Sequence, residues 1–272
     1  MNPISGRSSR TLQPRFLPAA LLLTAFTPLL CGFGPERAAT VGTASLGRAD
    51  ANVATGTNIE ALASNPAGVK RGKGQAFELG FMRNPLVGSN NFYLASADSS
   101  SPAGIAAGTS LGYAAGDLAG GGTFTTTEWR TGIAVGAQSD VAGLMIGASA
   151  RRMALTLSPK GGKDIECAGW TGDVGMALDL AGGVMLGVTL RNVLDIEGID
   201  TTRRIAGGLG YGGKKFVIEA AGSWQLNGDM PVYRAGLMIP LGDVAALRAG
   251  FVHDEFIGVL KARQTATLGG SV

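Results

Sequence analysis

The sequence has few of the residues that carry most enzyme chemistry. Its 272 residues include one histidine, two cysteines and only 16% charged side chains. The histidine, His253, precedes Asp254 and Glu255, and no histidine and cysteine spacing suits a metal ion. Because a single histidine without an evident nucleophile specifies no reaction, we expect a solvated loop residue. The sequence therefore predicts no enzyme, no metal site and no cofactor.

Long apolar runs are missing as well. Hydrophobic residues make up 45% of the chain, yet beyond residue 40 no run of about 18 apolar residues could form a membrane-spanning helix. The 44 glycines recur inside apolar segments, where each would weaken a helix by about 1 kcal/mol relative to alanine. These segments are better interpreted as strands. The net charge of +3 is spread without a basic and aromatic patch, which argues against nucleic acid as a partner.

The amino terminus has the residue order of an export signal. Arginines within residues 7–15 precede the apolar stretch 16–30, which is too short for a helical membrane span. We therefore predict a signal peptide over residues 1–34, with its cleavage position left open. Cys31 lies in a sequence similar to a lipoprotein signal, but a leucine stands where a small residue is required. If cleavage follows Cys31, only Cys167 remains, and no disulfide framework is expected.

From residue 75 onward, apolar residues alternate with small or polar residues. Trp170, Val174 and Met176, for example, share one face of their segment, and Asp173 lies on the other. Such a period of two is typical of strands whose faces meet different surroundings. The pattern predicts about twelve strands, near residues 75–84, 91–98, 103–113, 125–137, 141–156, 168–181, 183–193, 203–212, 215–226, 231–240, 244–253 and 263–272.

The connections favour a membrane barrel over a soluble β-sandwich, which would alternate in the same way. Tight turns are predicted near residues 139–140, 182, 213–214 and 241–243, and longer polar joins near 114–124, 157–167, 194–202 and 254–262. Outer-membrane barrels combine short periplasmic turns with longer outside loops. We therefore predict an all-β fold, a transmembrane antiparallel β-barrel of about 12 (12–14) strands over residues 75–272.

Aromatic residues near the strand ends point the same way. A girdle of aromatic side chains is expected where a barrel crosses each membrane surface. The alternative is that these residues form the core of a soluble barrel. The residues concerned are Tyr113, Trp129, Trp170, Trp224 and Tyr233.

Residues 35–74 do not alternate and are predicted to form an amino-terminal plug or hatch segment. A short helix is expected from about Asn58 to Ser64, with Asn58 as its cap and Pro66 ending it. In Asn65–Pro66–Ala67–Gly68, proline fixes one backbone angle and Gly68 permits a conformation that other residues resist. These four residues, Asn65, Pro66, Ala67 and Gly68, are predicted to anchor the segment inside the barrel; a surface linker is the alternative.

The run Leu62–Gly68, placed directly before a barrel, resembles the amino-terminal NPAG signature of the FadL-like outer-membrane transport superfamily, which includes PorV-like barrels. Residues 186–193, 233–237 and 247–251 are similar to the PorV-like branch. The resemblance implies a barrel with a plugged lumen. Such barrels usually have about fourteen strands and an aromatic end, whereas this chain ends in Gly269–Val272. We therefore expect either a twelve-strand variant or a barrel whose terminal hairpin is missing.

Charged residues on the polar face of the strands are predicted to point into the lumen. Buried charges of both signs must pair or meet water. We expect a salt-bridge network that holds the barrel and its plug, with an ion path as the alternative. The predicted network consists of Glu78, Arg130, Arg151, Asp173, Asp179, Arg191, Arg204, Glu219, Arg234 and Arg248.

Two functions follow from the resemblance. The first is transport of small hydrophobic molecules through the plugged lumen of a Gram-negative outer-membrane barrel, whose partners are membrane lipid and a hydrophobic ligand. The alternative is a PorV-like barrel that transports nothing and instead assists the secretion or surface assembly of a protein partner. The motif Gly208–Gly213 satisfies the dinucleotide spacing, but it lies in a predicted hairpin and therefore predicts no nucleotide site.

Overall fold

The computed structural model describes residues 45, 48–84, 88–101, 104–118, 120–139, 141–199, 201–226, 231–242, 245–254 and 263–271. The predicted signal peptide and residues 35–44 lie outside the described residues. Among the helices that are described, none has both the length and the apolar character that crossing a membrane would require.

Twelve strands form a single antiparallel sheet in which each strand pairs with its neighbours in the sequence. Pairing runs from β1 to β12, and no pairing between β12 and β1 is found among the described residues. This result confirms the predicted all-β class and the count of twelve. The strands are β1 (Gln75–Asn84), β2 (Ser89–Asp98), β3 (Ile105–Asp117), β4 (Gly122–Gln138), β5 (Ala142–Pro159), β6 (Ile165–Leu180), β7 (Val184–Arg191), β8 (Arg204–Gly212), β9 (Val217–Gln225), β10 (Val232–Leu241), β11 (Ala245–Asp254) and β12 (Arg263–Ser271).

The two faces of the sheet are the reverse of those in a soluble protein. On β6, Val174 and Met176 are about half exposed, whereas Asp173 and Thr171 are almost fully buried. The same inversion recurs along β1 to β11, with large apolar side chains outside and small or polar ones inside. A sheet in water would instead bury its apolar face, because burial of apolar surface is the main favourable contribution to folding.

The sheet curls around the amino-terminal segment, which we define as residues 48–74. The segment packs against Ala76 and Tyr93 on β1 and β2, and at the far side its Arg48 meets Gly250 on β11. One short stretch of chain can reach both sides of a meandering sheet only if that sheet closes towards a barrel. Its concave face is called the inner face below.

The segment itself contains one helix and a 3-10 turn. Helix α1 spans Asn58–Ser64, as predicted, but its N-cap residue is Thr57 rather than Asn58. Asn58 lies inside the helix with a φ of 49° and therefore cannot act as the extended residue that a cap requires. Asn65 is extended before Pro66, and a 3-10 helix follows over Pro66–Arg71, which the sequence did not predict.

Strands β3 to β6 are longer than predicted, and two of the predicted loops are shorter. The joins at 114–124 and 157–167 shrink to residues 118–121 and 160–164, because the flanking strands extend to 13–18 residues. The extensions include Thr123, Phe124 and Ile165, which are residue types that favour strands. The long joins that remain are residues 192–203 and 255–262.

The connections lie at two ends of the sheet. One end, the turn end, carries the joins at residues 99–104, 139–141, 181–183, 213–216 and 242–244. The other end, the loop end, carries the joins at 85–88, 118–121, 160–164, 192–203, 226–231 and 255–262. This division agrees with the predicted grouping of turns and loops; which end faces the periplasm stays a prediction.

Candidate functional site

Glycines on the inner face form the seat of the amino-terminal segment. A β-carbon at Gly147 would lie 2.5 Å from the backbone nitrogen of Ala67, and one at Gly187 would lie 2.1 Å from the carbonyl oxygen of Val53. Real β-carbons do not approach other atoms so closely, so only glycine permits this contact of backbone with backbone. Gly236 and Gly250 also lie against the backbone of the segment, whereas Gly132, Gly175 and Gly210 leave room for the side chains of Leu62, Asn65 and Thr55.

Asn65 connects three parts of the molecule. Its Nδ2 donates to the carbonyl oxygen of Val53 at 2.9 Å and to that of Met176 on β6 at 3.0 Å. Its Oδ1 accepts from the backbone N–H of Ala67 at 3.2 Å, which starts the 3-10 helix. One side chain thus joins the segment to itself and to the sheet, as only an amide with donors and an acceptor can.

The remaining residues of the Asn65–Gly68 motif are completely or almost completely buried, but Gly68 is required for a reason other than the one predicted. Its φ is not in the left-handed region. A β-carbon there would instead lie 2.4 Å from the carbonyl oxygen of Gly56 and 2.9 Å from Cβ of Ala61. Gly68 therefore allows the two arms of the segment to cross closely.

Glu219 on β9 binds the backbone of the segment. Its carboxylate accepts from the N–H groups of Ala54 and Thr55 at 2.8 Å each and from Oγ1 of Thr55 at 2.6 Å. The side chain is 2% exposed. A buried carboxylate that accepts three hydrogen bonds satisfies two backbone donors that would otherwise lie unpaired inside the lumen.

Arginines hold the carboxyl end of helix α1 and the end of the 3-10 helix. Arg191 and Arg130 donate to the carbonyl oxygens of Ser64 and Leu62 at 2.8 and 3.0 Å, which are acceptors that the end of a helix leaves free. Arg71 pairs with Asp179 at 2.7 Å near the turn end. Arg48 pairs with Glu60 inside the segment.

A buried charge cluster lies between helix α1 and the loop end. Arg130 contacts Glu128 at 3.0 Å and Asp173 at 3.1 Å, and Arg151 lies 3.7 Å from Glu128. The two positive and two negative groups balance, as buried charges require. Glu128 has no exposed surface and was not among the predicted residues. Glu128 lies two residues before Arg130 on β4 and therefore on the same face of the strand, and this spacing could have identified it in the sequence.

The join after β7, residues 192–203, folds into the lumen instead of extending from it, and we call it the inner loop. Asn192 accepts a hydrogen bond from Arg151 and donates its N–H to Asp173 at 2.9 Å. Ile196 and Ile199 are buried against Met153 on β5. The sequence predicted a polar outside loop here, because two isoleucines among charged residues give no periodic signal.

Apolar side chains surround the inner loop. Leu155 and Cys167 pack against the cluster formed by Ile196 and Ile199. Phe124, Leu157 and Ile165 follow in register on β4, β5 and β6 and have the inner-face parity of their strands. We call Phe124, Leu155, Leu157, Ile165, Ile196 and Ile199 the apolar mouth. It lies at the loop end, beyond the charge cluster.

The other predicted residues are distributed over the inner face. Arg234 donates to Oγ of Ser223 at 3.3 Å, and Arg191 and Arg204 are partners in register on β7 and β8. Glu78 and Arg248 are partly buried. The structure thus divides the ten predicted charges among several contacts, and four of them, Arg130, Asp179, Arg191 and Glu219, contact the segment. In the described ranges, no three potential ligands are grouped in a way that could hold a metal ion.

His253 is not a loop residue, contrary to prediction. It belongs to β11 and its ring stacks on that of Tyr233, with the centroids 6.4 Å apart and the planes 25° from parallel. Tyr233 in turn contacts Trp224 edge to face at 6.4 Å. The histidine therefore belongs to a row of aromatic rings near the loop end.

No protein-family model matches the chain, and no curated protein matches its sequence. Two solved structures of the TodX monoaromatic hydrocarbon channel share its fold. The deltaS2S3 mutant has a TM-score of 0.61 at 13% identity, over 85% of this chain and 89% of that chain. The deltaS2 mutant has a TM-score of 0.61 at 13% identity, over 85% of this chain and 88% of that chain. The fold is that of outer-membrane β-barrels.

Proposed function

We propose that this chain is a Gram-negative outer-membrane barrel that transports small hydrophobic molecules through a lumen plugged by its amino-terminal segment. Two observations support the proposal. The sequence resembles the FadL-like superfamily, and the fold is shared with TodX, a monoaromatic hydrocarbon channel. Residues 1–34 would export the chain, residues 35–74 would form the plug, and residues 75–272 would form the barrel.

The outer face supports a membrane location. Apolar side chains such as Phe81, Ile146 and Val188 are 44–70% exposed along successive strands. A continuous apolar exterior would aggregate in water but is what lipid requires. From its first residue at the turn end, Ala142, β5 runs for about 11 residues to Arg152, which pairs with Trp129 on β4 and Trp170 on β6. A tilted membrane-spanning strand needs a similar number.

The apolar mouth is the observation that carries the proposed substrate class. A water-filled porin has a polar interior. Here Leu155 and Leu157 have the inner-face parity of β5, next to Ile196 and Ile199 of the inner loop. Such a surface attracts solutes that gain by leaving water, and the charge cluster beneath it resists free passage of ions.

Matched substitutions on the two faces of β5 test the substrate class. Leu155→Asp places a carboxylate in the apolar mouth. Thr156→Asp places a carboxylate at the next residue of β5, which lies on the outer face of the sheet. We expect intact cells that make the Leu155→Asp variant to accumulate radiolabelled toluene at least about fivefold more slowly than wild type, since a charge there disfavours apolar solutes. The Thr156→Asp variant should behave as wild type. Equal uptake by both variants would contradict hydrophobic transport.

Deletion of residues 57–70 separates transport from the PorV-like alternative. A plug predicts increased permeability to small solutes or lost uptake when these residues are removed. A scaffold for a secreted protein predicts unchanged permeability and loss of a co-purifying protein. Mass spectrometry of small molecules retained by the purified wild-type barrel gives an independent result, because a transporter of apolar compounds should carry them through purification.

A further inference from the structure

An arginine faces outward between two tryptophans at the centre of the sheet. Arg152 on β5 lies directly opposite Trp129 on β4 and Trp170 on β6. All three side chains are exposed on the outer face. The two indole rings approach to 5.6 Å between centroids with their planes 82° apart, although a whole strand separates them. They therefore reach towards each other across the position of Arg152.

This row marks a boundary on the outer face. On the turn side of the row, the exposed residues are apolar, including Ile133, Ile146 and Val174. On the loop side, the same strands carry hydroxyl and charged side chains at the outward positions, among them Thr125, Thr156 and Glu166. Tryptophan prefers the level where hydrocarbon gives way to lipid headgroups. Arg152 therefore lies at headgroup depth.

Within the described part of the chain, Arg152 has no hydrogen-bond or ion-pair partner. Its guanidinium makes no hydrogen bond or ion pair with any residue that the structure describes. The indole N–H of Trp129, by contrast, is satisfied by Oγ1 of Thr109 at 3.2 Å. An arginine placed at the edge of an apolar band needs an anionic partner or water, because its charge cannot enter hydrocarbon.

The surface beside Arg152 has room for an acyl chain. Outward positions on the same strand are small, with Ala148 and Ala150 on the apolar side and Ala154 on the polar side. Gly172 stands opposite Ala150 on β6. Ala148 lies between the larger Ile133 on β4 and Val174 on β6, so the small side chains of β5 leave a shallow groove that ends at the guanidinium.

We propose that Arg152, Trp129 and Trp170 form a binding site for one phosphate-bearing membrane lipid, with its phosphate on Arg152 and an acyl chain along the alanines of β5. The proposal rests on the membrane location given under the proposed function. Arginine presents paired N–H donors that match two phosphate oxygens. The tryptophans exclude water from one side of the contact between guanidinium and phosphate. The groove selects a lipid rather than free phosphate, because the apolar chain adds buried area to the charged contact.

Native mass spectrometry of the full mature barrel in a non-ionic detergent tests the site. The probes are dioleoyl phosphatidic acid and dioleoylglycerol, which differ only in the phosphate. Wild type should retain one phosphatidic acid about tenfold better than dioleoylglycerol. Arg152→Gln should abolish that preference, and Arg152→Lys should keep part of it because the charge remains without the paired donors. Lys163→Gln, in the exposed join after β5, is the control for the loss of one charge.

The outcomes distinguish this site from its alternatives. Equal retention of both lipids by wild type, or an equal loss in the Arg152→Gln and Lys163→Gln variants, would overturn the proposal while leaving the barrel in the membrane. Displacement of phosphatidic acid by millimolar inorganic phosphate would show an anion site without lipid recognition. If wild type fails to float with vesicles, the membrane location is wrong, and the proposed function fails together with this site.

Discussion

The two halves of the lumen are filled in different ways. In the half near the turn end, the amino-terminal segment lies with its backbone against glycines, and side chains from several strands bind its polar groups. In the half near the loop end, the inner loop presents Ile196 and Ile199 to apolar residues. The hydrogen bonds of its tip are local, such as Ile196 N–H to Thr201 Oγ1 at 2.9 Å.

This difference indicates which part can move. Withdrawal of the segment would break the buried hydrogen bonds that join it to Glu219, to Arg130 and to the carbonyl of Met176. Each buried polar group left unsatisfied costs about 1–3 kcal/mol. The bonds of Val193 and Leu194 to β6 hold the start of the loop. Withdrawal of the part beyond them would expose two isoleucines, whose backbone and the neighbouring Thr201 are hydrogen-bonded within the loop. Asn192, which has a φ of 55°, would stay hydrogen-bonded to Asp173 while the rest of the inner loop moves, and would act as its hinge. We therefore expect the inner loop to open more readily than the segment leaves.

The largest expected effect comes from filling the glycine seat. Gly187→Val would force its β-carbon into the carbonyl oxygen of Val53, which is 2.1 Å away. We expect a loss of about 3 kcal/mol in the free energy of unfolding, because overpacking against backbone cannot be relieved by rotamer changes. Urea unfolding in detergent and protease cleavage within residues 57–70 measure this effect.

Gly207→Val is the matched control for Gly187→Val. Gly207 faces outward on β8, and the nearest atom to a β-carbon there is 3.9 Å away. That variant should keep the segment resistant to protease and lose little stability. If both valine variants leave residues 57–70 protected, the segment does not depend on its glycine seat, and the distinction between the two halves of the lumen is lost.

An intermediate effect is expected at Glu219. Glu219→Leu removes the acceptor for the N–H groups of Ala54 and Thr55 and should cost about 2 kcal/mol, the penalty for buried unsatisfied donors. Glu219→Gln keeps one oxygen and should cost roughly half as much. Hydrogen exchange at residues 54 and 55 should accelerate most in the leucine variant. Unchanged exchange in both variants would mean that these amides are held by something other than Glu219.

Much of the sheet could be predicted from alternation alone. The predicted bounds of β1, residues 75–84, agree with the structure, because its apolar side chains repeat every second residue without a break. The same parity placed Asp173 and Glu219 on the inner face. The alternation could not reveal how tightly the lumen is packed. It places Thr189 on a polar inner face, and in the structure this residue is only 1% exposed.

The features that sequence missed depend on contacts between distant residues. Gly187 and Val53 meet only after β7 has paired in the sheet, so nothing local distinguishes this glycine from one in a turn. The inner loop folds inward because β5 and β6 extend beyond the level of Trp129 and Trp170. There Met153 and Leu155 on β5 and Cys167 on β6 form an apolar surface for the two isoleucines. Local preferences predicted a polar loop, and tertiary burial of two isoleucines outweighed them.

The smallest effect on stability, and the clearest sign of motion, is expected at the inner loop. Cys167 lies beneath this loop, since a β-carbon at Gly198 would be 2.3 Å from its Sγ. Cys167 is partly buried, so a thiol reagent should reach it faster when the loop opens. Ile199→Ala, in a Cys31→Ser background, removes buried apolar area from the closed state. We expect labelling to accelerate roughly tenfold while the unfolding free energy of the barrel stays unchanged, since the loop can open without unpairing any strand.

Leu194→Ala supplies the control, because Leu194 belongs to the same loop but is 59% exposed and loses little on truncation. Its labelling rate should match that of wild type. If Ile199→Ala and Leu194→Ala label at the same rate, the isoleucine contacts do not close the loop. If Ile199→Ala instead lowers the unfolding free energy as much as Gly187→Val does, the inner loop is as much a part of the fixed core as the segment. Gating from the loop end would then have to be abandoned, because no part of the lumen would be free to move without unfolding the barrel.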